Sequence, residues 1–307
     1  MDQGGHPNTS PVRIRSVHRA EIRSRLLKRL VLAPLMALAA CAPVRVLNDL
    51  EPRGGVEIVR DIAYGPDPRQ RLDVYAPRAH RPDAPVVVFF YGGSWDSGRR
   101  QDYLFVGAAL ASHGYVAVIP DYRIYPQVRW PAFLQDSAQA VRWARDHGAD
   151  YGGDARRLVL MGHSAGAYNA AMLTLDGRWL GAVGMAPNRD VRAMVGLAGP
   201  YDFLPLHSDE LKQIFGPPER RPDTQPINHV GPGTPPLWLG TDEHDRTVDP
   251  GNTRRLAAAV RAEGGKVEVR VYPRLNHQLM IGTFASPLRW LGPVYRDIIR
   301  FIDAEAR

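Results

Sequence analysis

The sequence predicts an α/β fold, a mainly parallel central sheet with helices on both faces, and three observations predict it. Residues 86–90 (Val-Val-Val-Phe-Phe) are an unbroken apolar run, the pattern of a strand covered on both sides. From there to the C-terminus, short apolar runs alternate with stretches of helical spacing, which implies parallel strands joined by crossover helices. Residues 158–161 (Leu-Val-Leu-Met) pass directly into Gly162-His163-Ser164-Ala165-Gly166 and then into a helix-forming stretch. Strand, Gly-x-Ser-x-Gly turn and helix are the context in which a serine is lifted above a sheet edge as a nucleophile. Such a sharp turn forces unfavourable angles on the serine and leaves no room for side chains two residues to either side.

Taken in order, residues 56–64 and 71–75 read as strands around the turn Gly65-Pro66-Asp67-Pro68. A polar loop at 78–85 leads into the 86–90 strand, which ends in Tyr91-Gly92-Gly93-Ser94-Trp95. Helical spacing over 104–113 stops at Gly114, 116–119 is the next buried strand, and Asp121-Tyr122-Arg123 opens a loop. Residues 133–147 form an amphipathic helix with Phe133, Ala140, Val141 and Ala144 on one face. Beyond the serine turn, 191–197 is a strand. Residues 200–234 then carry Pro205, Pro217, Pro218, Pro222, Pro226 and Pro232 without a clear period, and a partial lid is expected there. Strand 237–239, loop 240–249, a helix over about 252–263 closed by Gly264-Gly265, and strand 267–272 follow. A terminal helix over 287–304, interrupted near Gly292-Pro293, completes the chain.

The 307 residues are 44% hydrophobic and 23% charged, a globular composition with room for one large domain. A formal charge of +7 suggests nucleic acid until it is located. Residues 1–40 hold seven of the 39 Lys/Arg and two of the 32 Asp/Glu, so the remainder carries 32 against 30 and a net of +2. The body is nearly neutral, and no nucleic-acid partner is expected. The basic leader has a positive run at 23–29, a short apolar core at 30–37, and Leu38-Ala39-Ala40-Cys41, which contains the only cysteine. The core is too short to span a bilayer, which takes about 20 apolar residues, and has the three-part form of a secretory signal. Leu-Ala-Ala-Cys resembles the bacterial lipobox, which implies cleavage before Cys41, a lipid on its sulfur and a place in the cell envelope with the membrane as partner. The expected plan is therefore a signal with an N-terminal extension at 1–40, an irregular tether at 41–55 and the folded domain at 56–307.

A serine hydroxyl is a weak nucleophile that needs a base within hydrogen-bond reach and a carboxylate to orient that base. His277 follows the 267–272 strand, and the acids follow the preceding strand in Gly240-Thr241-Asp242-Glu243-His244-Asp245-Arg246-Thr247-Val248. In a parallel sheet both loops emerge at the edge that carries the serine turn, so Ser164, an acid and His277 can converge. His163 and His244 are read as structural or exposed, and Glu243 and Asp249 as a solvated charged loop. Ala165, at the start of the helix after Ser164, is placed to offer a backbone N–H to a developing oxyanion. The ten histidines are scattered without a metal-ligand spacing, and the Gly-rich turn lacks the Lys-Ser/Thr of a phosphate loop, so neither metal nor cofactor is expected.

From residue 56 to the C-terminus the chain resembles the α/β-hydrolase superfamily, and within it the esterase group that includes hormone-sensitive-lipase-like carboxylesterases and arylformamidases. The resemblance rests on Tyr91-Gly92-Gly93-Ser94-Trp95, Gly162-His163-Ser164-Ala165-Gly166 and the Asp245 and His277 loops, in that order. It implies Ser164 as nucleophile and His277 as base. The family's Asp-x-x-Val pattern selects Asp245 as the acid, with Asp242 left as the alternative. The family's His-Gly-Gly-x-Trp loop implies that Gly93 and Ser94 complete an oxyanion hole with Ala165. Here Tyr91 stands where the family has histidine, so the side-chain anchoring of that loop must differ. Asp121-Tyr122-Arg123 resembles a segment that supports the loop, with Asp136 a candidate contact of Arg123; Trp95 either lines the acyl pocket or packs beneath the loop. The implied activity is hydrolysis of small to medium carboxylic esters through an acyl-enzyme. An arylformamidase-type amidase and a non-catalytic binding protein of the same fold are the alternatives.

Overall fold

The computed structural model describes residues 1, 2, 4, 43–79 and 83–306. Apart from residues 1, 2 and 4, the expected leader lies outside the described residues, as do Cys41 and its lipidation. Eight strands form one sheet in the order β1-β2-β4-β3-β5-β6-β7-β8. They are β1 (Val56–Ala63), β2 (Arg71–Pro77), β3 (Ala84–Phe90), β4 (Val116–Pro120), β5 (Gly153–His163), β6 (Ala193–Leu197), β7 (Leu237–Thr241) and β8 (Val267–Val271). β1–β2 and β2–β4 pair antiparallel, and from β4 to β8 every pairing is parallel. The expected α/β architecture is therefore present, with a two-stranded hairpin added at one edge.

All seven residues of β3 are buried, as are all five of β4, β6 and β7, which accounts for their unbroken apolar character. The chain steps from β3 outward to β4, then reverses across β3 to β5. Because crossovers are right-handed, that reversal puts helix Leu104–His113 on one face and helix Ala132–His147 on the other. Helix Ala165–Leu175 joins Ala132–His147, with Asn169 Nδ2 donating to Ser137 Oγ at 3.4 Å. The terminal helix Val294–Glu305 joins Leu104–His113, where Tyr295 Oη donates to Ala109 O at 3.2 Å. The crevice opened by the reversal, at the carboxyl ends of β3 and β5, is where an open parallel sheet offers a site.

Two expectations change. Residues 43–50 do not form an irregular tether: Pro43–Leu50 is a helix, and Leu47 onward belongs to the compact unit that runs to Arg307. Asn48 donates to Gln101 O at 2.8 Å and accepts from Phe105 N at 3.1 Å, which secures the start of helix Leu104–His113. Glu51 is buried and accepts from Ser286 N at 2.6 Å and Arg289 Nη2 at 3.2 Å. The nearby prolines and glycines read as loop, but Pro43 occupies the first helical position, where a missing N–H costs nothing. The folded body thus begins before Val56. The second change narrows the partial lid. Residues 200–211 wall the cavity described below, while 229 and 231–235 line a separate surface recess. The break expected in the terminal helix is present, as a 3-10 segment Ser286–Leu291 followed by Val294–Glu305.

Candidate active site

Ser164 sits between β5 and helix Ala165–Leu175 with φ 56° and ψ −124°, a strained conformation for a residue that bears a Cβ. Its N–H is tied to Leu197 O at 2.9 Å. The flanking glycines are sterically required. A Cβ on Gly162 would lie 2.2 Å from Gly166 O, and one on Gly166 would lie 2.0 Å from Phe90 O. Strand end, turn and helix start are packed backbone to backbone, so the serine is presented by a rigid support.

Asp245 and His277 come together from the loops after β7 and β8, with His277 Nδ1 at 2.7 Å from Asp245 Oδ2 and both residues buried. Burial alone would raise the Asp245 carboxyl. The hydrogen bond from His277 and the backbone N–H groups of Val248 and Thr247 outweigh it and hold the carboxyl below its ordinary value. Asp245 is thus a fixed anion facing one ring nitrogen, an arrangement that leaves the other nitrogen free for proton transfer. Asp242 does not reach the imidazole; its Oδ1 accepts from His244 N at 2.9 Å and closes a local turn. His244, Glu243 and Asp249 are exposed. The His277 ring lies 4.8 Å from that of His163, the residue before Ser164. Rotation about its single side-chain bond gives the Ser164 hydroxyl freedom to meet the imidazole.

The loop after β3 supplies the third component. Gly93 (φ 126°), Ser94 (φ 49°) and Trp95 (φ 62°) all lie in the left-handed region, a cost that a close backbone approach explains. A Cβ on Gly92 would be 2.9 Å from Ser164 Cβ, so the loop passes directly over the serine. Among the described residues, the N–H groups of Gly93, Ser94 and Ala165 take no part in turn, loop or cap hydrogen bonds. Ser94 and Ala165 face the same cavity as Ser164.

Tyr91 anchors this loop. Burial and the Asp121 carboxylate push its hydroxyl well above the usual phenol range, so it stays protonated. It donates to Asp121 Oδ1 at 2.8 Å and accepts from Arg69 Nη2 at 2.9 Å. Arg69 also reaches Tyr122 O and Gly98 O, each at 2.9 Å. Arg100, buried beneath, pairs with Asp121 Oδ2 and with Asp73 Oδ1 at 2.8 Å. The expected Asp136–Arg123 contact is present as a two-pronged pair, Nε to Oδ2 at 2.9 Å and Nη2 to Oδ1 at 2.8 Å. Trp95 does both things expected of it. Its Nε1 donates to Asn169 Oδ1 at 3.1 Å within a cluster of Phe133, Tyr168 and Phe215, and its edge borders the cavity.

The cavity measures about 480 Å³ and opens above Ser164. Its walls are mostly apolar (Trp95, Phe203, Leu206, Leu211), with Asp202 and Arg255 at a polar end. Asn252 Oδ1 holds one wall by accepting from Tyr201 N at 2.8 Å and Asp202 N at 2.7 Å. Arg69, Arg100, Asn169 and Asn252 were not legible as site residues. Each acts on a partner more than 20 residues away, and no local pattern announces such a pairing.

A hydrolase sheet with a strained serine at its switch point and an acid–histidine pair on the last two strand loops defines the α/β-hydrolase class. Within that class the chain belongs to the BD-FAE family, whose model matches residues 72–260, more than half of its length. It is 28% identical over 271 residues to isoprenylcysteine alpha-carbonyl methylesterase ICME of Arabidopsis thaliana, covering 81% of this chain and 63% of that protein. It is 31% identical over 273 residues to esterase LipC of Mycobacterium tuberculosis, covering 79% of this chain and 66% of that protein. The chain thus spans under two thirds of the length of these curated relatives. Esterase B of Lactobacillus rhamnosis, in a form inhibited by a C4-C4 tributyrin phosphonate, has the same fold. The TM-score is 0.73 at 20% identity, over 91% of this chain and 96% of that one.

Proposed function

We propose that this chain is a serine esterase acting on small to medium carboxylic esters. Ser164 Oγ attacks the ester carbonyl while His277 Nε2 takes its proton and Asp245 steadies the resulting imidazolium. The oxyanion accepts from the N–H groups of Gly93, Ser94 and Ala165, which among the described residues take no part in turn, loop or cap hydrogen bonds. Collapse expels the alcohol, which leaves with the proton from His277, and an acyl-serine remains. Water, deprotonated by the same histidine, then releases the acid. The observation that carries this reading is the buried 2.7 Å Asp245–His277 pair beside a strained serine that opens into an apolar cavity. The esterase names of LipC and ICME support it.

The test is a p-nitrophenyl ester series from acetate to palmitate, with N-formylkynurenine alongside and a fluorophosphonate to label the nucleophile. Acyl chains of about two to eight carbons are expected to turn over best in a cavity of this size, with label on Ser164 and none on Ser164→Ala. A clear preference for the formyl amide would reassign the enzyme as an amidase, and an unlabelled, inactive protein would leave only a binding role. We also propose that Cys41 carries a lipid and tethers the exported domain to the envelope. The signal-like leader and the position of the only cysteine support this. A mature N-terminus that starts before residue 23, or an unmodified Cys41 in the intact mass, would overturn it.

A further inference from the structure

His163 has so far entered only as the neighbour of Ser164, yet its surroundings give it one task. It ends β5 and is buried. Its Nε2 lies 2.9 Å from the backbone carbonyl of His277, and its ring lies against the His277 ring at 4.8 Å and 46°. A carbonyl oxygen can only accept, so Nε2 must carry the proton and donate. Burial first, and the adjacent His277 second, push the His163 pKa down to about 3, so the ring is neutral and Nδ1 is a bare acceptor. Nδ1 has no hydrogen-bond partner among the described residues and abuts the backbone of Gly92, where a Cβ would come within 3.3 Å. One donor and one target therefore define the side chain.

The target matters because His277 opens its own short helix, His277–Gly282, whose N-terminus is capped by Asn276 Oδ1 accepting from Leu279 N at 2.8 Å. Asp245 fixes the ring through Nδ1. The remaining freedom is displacement of the His277 backbone relative to β5, and that is what the His163 bond removes. We infer that His163 is a positioning residue that fixes the base relative to the nucleophile, tying the His277 main chain to the strand end that carries Ser164. A neutral ring suits the place, since a permanent cation 4.8 Å away would oppose the imidazolium formed during attack. This role rests on the esterase reading above.

The test compares His163→Gln with His163→Asn. A glutamine amide nitrogen occupies roughly the place of Nε2 and can still donate to His277 O, whereas an asparagine amide ends near the place of Nδ1 and cannot. With a short-chain p-nitrophenyl ester, the Asn protein is expected to lose about 10- to 100-fold in kcat with KM within about twofold, as a displacement of the order of 1 Å predicts. The Gln protein is expected to stay within about threefold of wild type, and fluorophosphonate labelling of Ser164 should slow in parallel with kcat. Equal kcat for Asn and Gln, or a loss confined to KM, overturns the positioning role. If the Asn protein melts below the assay temperature, His163→Ser is read against Gln by the same ratio. An inactive wild type whose Ser164 stays unlabelled overturns the esterase reading itself, and this role with it.

Discussion

The floor and the outer wall of the cavity are built by different means. The floor consists of the loop after β3 and the serine turn, and it is fixed by buried charges and by glycines whose Cβ positions are already filled: Arg69, Tyr91, Asp121, Arg100 and Asp73 form one connected network. The wall at 200–211 is partly exposed and is held by a few backbone contacts, such as those of Asn252 and the bond from Phe203 N to Gln225 Oε1 at 2.8 Å. Breaking a buried, paired charge leaves its partner uncompensated, whereas trimming an apolar wall changes only area and shape. Chemistry is thus placed on the part that tolerates little, and selectivity on the part that tolerates much.

The sharpest way to break the comparison is at the acid. Asp245→Asn is expected to lower kcat by about 10²- to 10⁴-fold in ester hydrolysis, while Asp242→Asn stays within about fivefold, because only Asp245 meets the imidazole. The reverse ranking in steady-state kinetics would move the acid's role to Asp242. Next is Tyr91→Phe, which takes from Arg69 Nη2 and Asp121 Oδ1 one of two partners each, leaving Gly98 O and Arg100 N. A loss of about 1–3 kcal/mol in urea unfolding is expected, with a fall in kcat as the loop relaxes. A protein as stable and active as wild type would show that the network does not carry the loop.

Protonation tests the floor in another way. His163 titrates at about 3 when folded against about 6.5 in an unfolded chain, so its folded value is depressed. Above pH 6.5 both states are neutral there and its contribution to stability is full. Between 6.5 and 3 the unfolded state binds the extra proton, and stability falls by up to about 1.4 kcal/mol per pH unit. Urea midpoints taken from pH 7 to pH 4 should fall less steeply for His163→Gln than for wild type, and parallel curves would contradict the assignment. The smallest effect on turnover belongs to the wall: Phe203→Ala is expected to move the preferred p-nitrophenyl acyl chain to a longer one by no more than about tenfold in kcat/KM ratio, with a stability loss of about 1–3 kcal/mol from its lost packing on Trp95, Tyr168 and Phe215. A collapse of activity on every chain length would put Phe203 with the floor instead.

What the sequence revealed follows the same division. Ser164, Asp245 and His277 were legible because each lies in the turn or loop that follows a strand, and strand ends are marked by local apolar runs and turn residues. Steric exclusion at Gly162 is equally local, caused by Gly166 and Ala167, whereas at Gly166 the blocking atoms belong to Phe90 and Tyr91. The anchors were not legible. Tyr91 could be seen to depart from the family's histidine, but its partners Arg69 and Asp121 lie 22 and 30 residues away and meet it only once the sheet has formed. Helix Pro43–Leu50 was hidden because its proline reads as a breaker unless its position within the turn is known. The extent of the lid was hidden as well, since an aperiodic, proline-rich stretch does not say which part of itself will face a cavity.

Arg69 carries a practical consequence for anyone trimming the protein. The family match begins at residue 72, so an N-terminal boundary chosen from it, with the C-terminus kept, would retain Ser164, Asp245 and His277 and discard the β1–β2 turn. With that turn would go the guanidinium that joins Tyr91, Tyr122 and Gly98, and a truncated chain would keep all three residues beneath a β3 loop no longer clamped at both ends.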